Sequence, residues 1–131
     1  MEDAFKFEKR EGYLYVEAEG VRKDLTSIVE GTKKIQDSIV KYGTPYVLAD
    51  YRKVRFNVPL TEAYNIIKIY ESKIPEFSTI IMAGVINPGS REIAQFWQSI
   101  CDKRGYTFKV FHDIKPAETW ISGVIQGKLT P

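Results

Sequence analysis

Two short runs of this sequence are apolar almost throughout rather than alternating, at residues 46–49 and 79–86. Strands that are buried on both faces of a parallel sheet have this composition. After each run, apolar residues recur at the spacing of an amphipathic helix. Parallel strands joined by helices use right-handed crossovers, and the sequence therefore predicts an α/β domain with helices on both faces of its sheet.

Changes of periodicity define the remaining elements. Apolar residues alternate on either side of Gly12, which is typical of a β-hairpin. A further strand is predicted at residues 106–111, so that the sheet is five-stranded and mixed, mainly parallel, with an N-terminal hairpin. The four predicted helices cover residues 24–42, then from near 59 to before 75, then from 91 to before 105, and a last stretch after 116.

Length and composition limit the class of protein. A chain of 131 residues corresponds to one domain, expected over residues 1–131 with its core at about 5–125 and a frayed tail. No stretch reaches the roughly 20 apolar residues of a spanning helix, so stable membrane insertion is not expected. The net charge of +2 does not favour nucleic acid. A single cysteine and no secretory h-region predict a cytoplasmic protein.

Three segments carry a resemblance to a known family: PYVLADYRKV, TIIMAGVINPGSREIAQFWQ and YTFKVFHDIKPAETWI. With the hairpin and the first helix they resemble the STAS fold (sulphate-transporter and anti-sigma-factor-antagonist domains), most closely its stand-alone SpoIIAA-like branch, with Sec14-like domains as relatives. The resemblance spans roughly residues 12–121. It rests on element order, strand endings and a terminal D-x-x-x-A-x-x-W-[IL] helix, here Asp113, Ala117, Trp120 and Ile121. It implies a bacterial-type regulatory domain.

One family motif is incomplete in this chain. The family's switch is a D-S-[SG]-G-like turn after a strand, whose serine is phosphorylated at the start of the next helix. Here Asp50 matches, but Tyr51, Arg52 and Lys53 follow it. Near the predicted start of that helix, Thr61 is the only hydroxyl besides those of Tyr51 and Tyr64. The resemblance therefore implies the partner-facing turn without its phosphorylatable serine.

Cations cluster where the predicted strands end. Ligands of parallel α/β sheets bind at the carboxyl ends of strands, and helix N-termini there attract anions. The loop after Asp50 carries three cations, and Arg91 lies in the first turn of the predicted helix that follows residues 87–90. An ordinary solvated loop is the alternative interpretation. The predicted ligand or partner site comprises Asp50, Tyr51, Arg52, Lys53, Arg55, Phe56, Asn57, Thr61, Asn87, Ser90 and Arg91.

In the same loop every second residue is apolar, namely Val54, Phe56 and Val58. This pattern predicts a short extended lid over an apolar cavity, beneath which a lipid-like or aromatic molecule would fit. The alternative is that these side chains cap the hydrophobic core.

Catalytic chemistry is poorly represented. His112 is the only histidine, and Cys101 falls on a helix without a partner that would activate it. One histidine and one cysteine do not supply the usual zinc ligands, and no cofactor motif is present. Asp50 and Asp113 are either paired carboxylates at strand ends or turn caps. Numerous tyrosines make a homodimer through the hairpin an additional hypothesis.

These observations predict a non-enzymatic binding or regulatory module, without cofactor or metal. Its site, at the carboxyl edge of the sheet, would recognise a protein partner or a small anionic ligand. Two alternatives stay open: a Sec14-like carrier of a lipid or other apolar molecule, and an enzyme that uses Asp50.

Overall fold

A computed structural model describes residues 4–131 of the protein and contains one five-stranded sheet. The strands lie in the order in which they occur in the chain. The first two form an antiparallel hairpin, and all later neighbours are parallel. The predicted mixed sheet is therefore confirmed, with strands β1 (Ala4–Arg10), β2 (Tyr13–Arg22), β3 (Tyr46–Phe56), β4 (Ile81–Ile86) and β5 (Thr107–Phe111).

Helices cover both faces of this sheet, as predicted. The four helices are α1 (Leu25–Tyr42), α2 (Glu62–Lys73), α3 (Arg91–Arg104) and α4 (Ile114–Ile125). Helices α1, α2 and α3 pack in one core cluster, which includes Val47 and Ala49 of β3. Leu48 points the other way and packs with α4. Both faces of β3 are therefore buried near its start, which explains its continuous apolar run.

The ends of α1 illustrate how local chemistry sets the helix boundaries. The carboxylate of Asp24 accepts a 2.8 Å hydrogen bond from the backbone N–H of Ser27 and so caps the first turn. Gly43 ends the helix in the left-handed region at φ 72°. Both boundaries agree with the sequence. No helix of the described residues is long and apolar enough to cross a membrane.

The predicted end of β3 is wrong. The strand does not stop at Asp50 but continues to Phe56 through residues 51–56, here called the β3 extension. Its partner β2 is longer as well, and the register changes between Glu17 opposite Asp50 and Glu19 opposite Lys53. One additional residue of β3 is thus accommodated in a bulge. The alternation of Val54 and Phe56 marked a strand rather than a lid.

The chain end also differs from expectation, since it folds back on α4. The backbone N–H groups of Lys128 and Leu129 donate to the carbonyl oxygen of Gly123 at 2.9 and 3.1 Å. The side chain of Leu129 lies so close to Gly123 that a β-carbon there would be 2.6 Å from it. A glycine at position 123 therefore permits this contact.

Candidate functional site

Asp50 lies in the middle of β3, on the side of the sheet that α4 covers, and is 7% exposed. Its carboxylate accepts two hydrogen bonds from the Arg52 guanidinium, at 2.9 and 2.8 Å, and one from the Tyr15 hydroxyl at 3.4 Å. Burial raises the pKa of Asp50, but the hydrogen bonds and charge of Arg52 outweigh it, so the pKa lies below its ordinary value. The carboxylate is thus ionised and occupied by its own neighbours.

The predicted cluster of cations is distributed along a strand rather than gathered in a loop. Arg52 is paired with Asp50, and the Lys53 ammonium lies 3.8 Å from a carboxylate oxygen of Glu17. The Lys53 side chain is still 67% exposed, and Arg55 is exposed two residues further on. The outward charges of the β3 extension are therefore those of Lys53 and Arg55.

The helix N-termini at this edge carry acidic residues in addition to the residues predicted from the sequence. Acidic residues occupy the first turns, Glu62 in α2 and Glu92 in α3. Thr61 directly precedes α2 and is exposed, but its side chain makes no capping hydrogen bond. Arg91 is exposed at the start of α3. An acidic side chain thus stands at each N-terminus and opposes a second anion there, although in α3 the cation of Arg91 lies beside it.

Asn87 proves to be a structural residue of this edge. Its side-chain amide donates to the backbone carbonyl groups of Arg52 and Val54, at 3.2 and 2.9 Å. Its side-chain oxygen accepts from the backbone N–H of Ser90 at 3.0 Å, and Ser90 is buried. On the other side of the extension, the backbone N–H of Asn57 donates to the carbonyl of Arg22 at 2.8 Å. The β3 extension is therefore held from both sides.

Tyr51 and Phe56 face the other side of the sheet, toward α1, α2 and α3. Their rings meet edge to face, with centroids 6.2 Å apart. Beneath Phe56 lies a cavity of about 90 Å³, partly open to solvent, whose walls are mainly aromatic and aliphatic. Val54 is fully buried and so belongs to the core. Val54 thus caps the core and Phe56 lies over a cavity, but both do so as residues of a strand and not of a lid.

Sequence reasoning missed the polar residues of this cavity, Arg22, Thr32 and Tyr70. Arg22 is only 3% exposed, and Tyr70 is 2% exposed with its hydroxyl hydrogen-bonded to that of Thr32. A sequence signal was available, because apolar or small residues occupy every second position from 14 to 20, and the same series continues to Arg22. In the structure all of these positions are buried. The predicted hairpin ended before this position, and the inward arginine was therefore overlooked.

The cysteine and the histidine do not form a catalytic pair. Burial, followed by the charge of Asp102, raises the pKa of the fully buried Cys101 thiol to about 12, so the thiol is protonated at neutral pH. His112 is exposed after β5. In the described part of the chain, no three His, Cys, Asp or Glu residues are placed to share a metal ion.

The tyrosines do not form one surface. Tyr13 and Tyr70 are buried in the two core clusters. The hydroxyl of Tyr64, which is 43% exposed, accepts a 2.8 Å hydrogen bond from Arg104. The homodimer through the hairpin stays a prediction.

Known proteins resemble this chain in structure rather than in sequence. No family profile matches it, and no curated protein is significantly similar to it. An anti-sigma factor antagonist from Mycobacterium paratuberculosis has a TM-score of 0.61 at 14% identity, covering 92% of this chain and 95% of that one. A second structure, of an uncharacterised DUF3478-family protein with a SpoIIAA-like fold from Shewanella loihica PV-4, has a TM-score of 0.55 at 20% identity, covering 91% and 93%. The chain therefore has the SpoIIAA-like fold of STAS domains, as the sequence resemblance implied.

Proposed function

We propose that this protein is a non-enzymatic regulatory module that binds an acidic surface of a protein partner through the β3 extension. The observation that carries the proposal is the fixed, outward presentation of Lys53 and Arg55. The backbone around them is held by the amide of Asn87 on one side and by β2 on the other. A surface that is ordered before binding loses less conformational entropy on association.

The fold supports a protein as the partner. The structurally similar protein from M. paratuberculosis is, by its name, an antagonist of an anti-sigma factor. A small anionic ligand on the same edge is less favoured, because Asp50 already pairs with Arg52 and acidic residues stand at the starts of α2 and α3. An extended acidic surface needs no single anion pocket and can contact exposed cations along the strand.

The chemistry of the edge supports binding rather than catalysis. A general base at Asp50 would need a free oxygen, but both oxygens accept hydrogen bonds from Arg52. The pKa of this carboxyl is lowered, which makes it a weaker base. The Cys101 thiol is buried and protonated at neutral pH. These arrangements suit a structural role for Asp50.

Photo-crosslinking in the native host tests the location of the surface. A photoreactive amino acid at Asn57, next to the β3 extension, is compared with the same residue at Lys103. Lys103 lies in the last turn of α3, shortly before β5 begins, and so at the amino edge of the parallel strands. We expect one defined partner to be captured from position 57 and not from 103. Equal capture from both positions would contradict the proposal.

Titration with the purified partner then tests the cations. The variant Lys53→Ala/Arg55→Ala is expected to bind at least about tenfold more weakly, a loss of about 1.4 kcal/mol. Arg52 is left in place, because its removal would leave the Asp50 carboxylate without its charged partner. The control Lys33→Ala/Lys103→Ala loses the same net charge from exposed helix positions and should change the affinity by less than about twofold.

A further inference from the structure

The first strand of the sheet has a long free edge. β1 stands at one end of the strand order and, within the described residues, pairs with β2 alone. Its seven residues pair with β2 without a change of register. The outer side of such a strand presents unpaired backbone N–H and C=O groups, to which a further strand can bond.

The pairing of β2 shows which backbone groups of β1 face outward. The carbonyl of Arg22 accepts from the backbone N–H of Asn57, so the even-numbered residues of β2 bond toward β3. Its odd-numbered residues therefore bond toward β1, where they lie opposite the even-numbered residues of that strand. The two-residue turn of the hairpin agrees, because the residues that flank such a turn bond each other. The residues of β1 with outward N–H and C=O groups are Phe5, Phe7 and Lys9.

This edge is already ordered in the single chain. The rings of Phe5 and Phe7 stack with their centroids 5.9 Å apart, and both pack against the core cluster beneath α1. The ammonium of Lys34 in α1 lies 5.0 Å from the centroid of the Phe5 ring. An edge held in this way loses little conformational entropy when a strand is added.

The charges of β1 complement one another when the strand pairs antiparallel with itself. With Phe7 opposite Phe7, all seven residues pair, and Lys6 of each copy lies opposite Glu8 of the other. Both side chains are exposed. A shift of two residues would place Lys6 opposite Lys6 in one direction and Glu8 opposite Glu8 in the other. Like charges directly opposite are destabilising, so the strand specifies a single register.

We infer that β1 is a homodimerisation strand, through which two copies of this chain form one continuous sheet. The two-fold axis passes through the pair of Phe7 residues, and Phe5 of each copy bonds with Lys9 of the other. About six hydrogen bonds join the copies, two for each of these pairs. Lysines on an edge usually repel an added strand, but here Glu8 supplies the opposite charge.

This dimer differs from one mediated by the hairpin tyrosines, because its contacts are backbone hydrogen bonds and the pairs of Lys6 with Glu8. It also uses none of the outward cations of the β3 extension. The inference is therefore independent of the proposed protein partner.

Sedimentation equilibrium of the purified chain measures the oligomeric state. Seven residue pairs form a small interface, for which we expect a Kd of about 10 µM, so that the chain is mostly dimeric at about 100 µM. Cross-strand nuclear Overhauser effects between copies labelled with different isotopes should join the backbone of Phe5 to that of Lys9. A chain that stays monomeric at about 1 mM would overturn the inference.

Lys9 separates the backbone from the side chain. Lys9→Pro removes an outward N–H and leaves the bonds to β2 in place, as is tolerated on an edge strand. We expect its dimer Kd to rise at least about tenfold, equivalent to about 1.4 kcal/mol. The matched control Lys9→Ala keeps the N–H and should dimerise within about twofold of wild type. Equal Kd values for the two variants would overturn the inference.

Charge exchange tests the register. Lys6→Glu places glutamates opposite each other in its own dimer, and Glu8→Lys places lysines opposite each other, so each variant alone should be monomeric at about 100 µM. An equimolar mixture of the two should form a heterodimer, because every opposed pair is then of opposite charge. Homodimers of either variant, or a mixture that stays monomeric, would overturn the register.

The mixture also controls for folding, since a heterodimer requires both variants to be folded. Lys6 lies opposite Glu17 of β2 as well, and if Lys6→Glu fails to fold, the comparison at Lys9 still decides. A dimer that is unaffected by Lys9→Pro would lie on another surface and would overturn the inference. Lys53→Ala/Arg55→Ala should dimerise as wild type does, so failure of the partner proposal is observed separately.

Discussion

The guanidinium of Arg52 donates to both carboxylate oxygens of Asp50, at 2.9 and 2.8 Å, from two residues further along the same strand. The backbone N–H of Arg52 donates to the same carboxylate at 3.1 Å. This pair lies where the register between β2 and β3 changes. Asp50 therefore stabilises the bulge from which the β3 extension continues.

Removal of Arg52 tests this structural role. Arg52→Ala is expected to lower the free energy of unfolding by about 1–2 kcal/mol, because hydrogen bonds to charged groups contribute roughly 1.5–3 kcal/mol and partial exposure of Arg52 reduces this. Urea denaturation at neutral pH measures the change. Lys53→Ala, whose 3.8 Å pair with Glu17 is largely exposed, should cost less than about 0.5 kcal/mol. Equal losses would contradict the assigned role.

The same pair predicts a pH dependence. The pKa of Asp50 is lower in the folded protein than its ordinary value of 3.8. Its contribution to stability is therefore complete above pH 3.8 and is lost as the pH falls through the folded value. The stability difference between wild type and Arg52→Ala should be constant near neutrality and shrink below pH 3.8. A difference that persists unchanged in acid would show that Arg52 acts through packing alone.

Tyr51 provides a spectroscopic test of the buried side of β3. Burial raises its pKa from 10.0 to about 12. The folded protein thus gains stability from Tyr51 below pH 10 and loses it as the pH rises toward 12. Phenolate absorbance should show a step near pH 12 that Tyr51→Phe removes. The control Tyr64→Phe, at a side chain that is 43% exposed, should leave that step in place. Loss of the step in Tyr64→Phe would contradict the buried position of Tyr51.

Asn87 tests how firmly the β3 extension is held. Asn87→Asp keeps the acceptor for Ser90 but replaces the amide donor to Arg52 and Val54 with a carboxylate oxygen, which repels their carbonyl groups. We expect a loss of about 1–3 kcal/mol and faster hydrogen exchange of residues 52–56. The exposed Asn65→Asp is the control and should change the exchange of these residues little. Unchanged exchange in Asn87→Asp would contradict the role of Asn87.

Gly84 tests the packing of β4 against the edge strand β5. A β-carbon at this position of β4 would lie 2.8 Å from the Phe108 ring of β5. Gly84→Ala should therefore destabilise the protein by about 1–3 kcal/mol. Thermal unfolding of Gly84→Ala/Phe108→Leu should show less than the sum of the two single effects, because the smaller side chain relieves the clash. Simple additivity would indicate that the two residues do not meet.

The periodicity of the sequence was sufficient to predict the fold. The apolar runs at 46–49 and 79–86 and the helical spacing between them identified the parallel sheet, and Asp24 and Gly43 marked the ends of α1. These signals are local, since they follow from burial on both faces and from backbone conformation.

The site was harder to predict because it depends on pairing between distant segments. Asp50, Arg52 and Lys53 have the composition of a loop, and only β2 beside them makes the segment a strand. The pairing of Asp50 with Arg52, and the position of Arg22 in a cavity, depend on this register. Alternation along β2 indicated the inward position of Arg22, but an inward arginine conflicts with the usual composition of a core.

Recognition through the β3 extension is best tested by hydrogen–deuterium exchange of the protein alone and in complex with the partner captured by crosslinking. We expect new protection at residues 52–57 and at the adjoining residues 87–91, and none at α4. Protection confined to α4 or to the outer edge of β1, with residues 52–57 unchanged, would contradict recognition through the β3 extension.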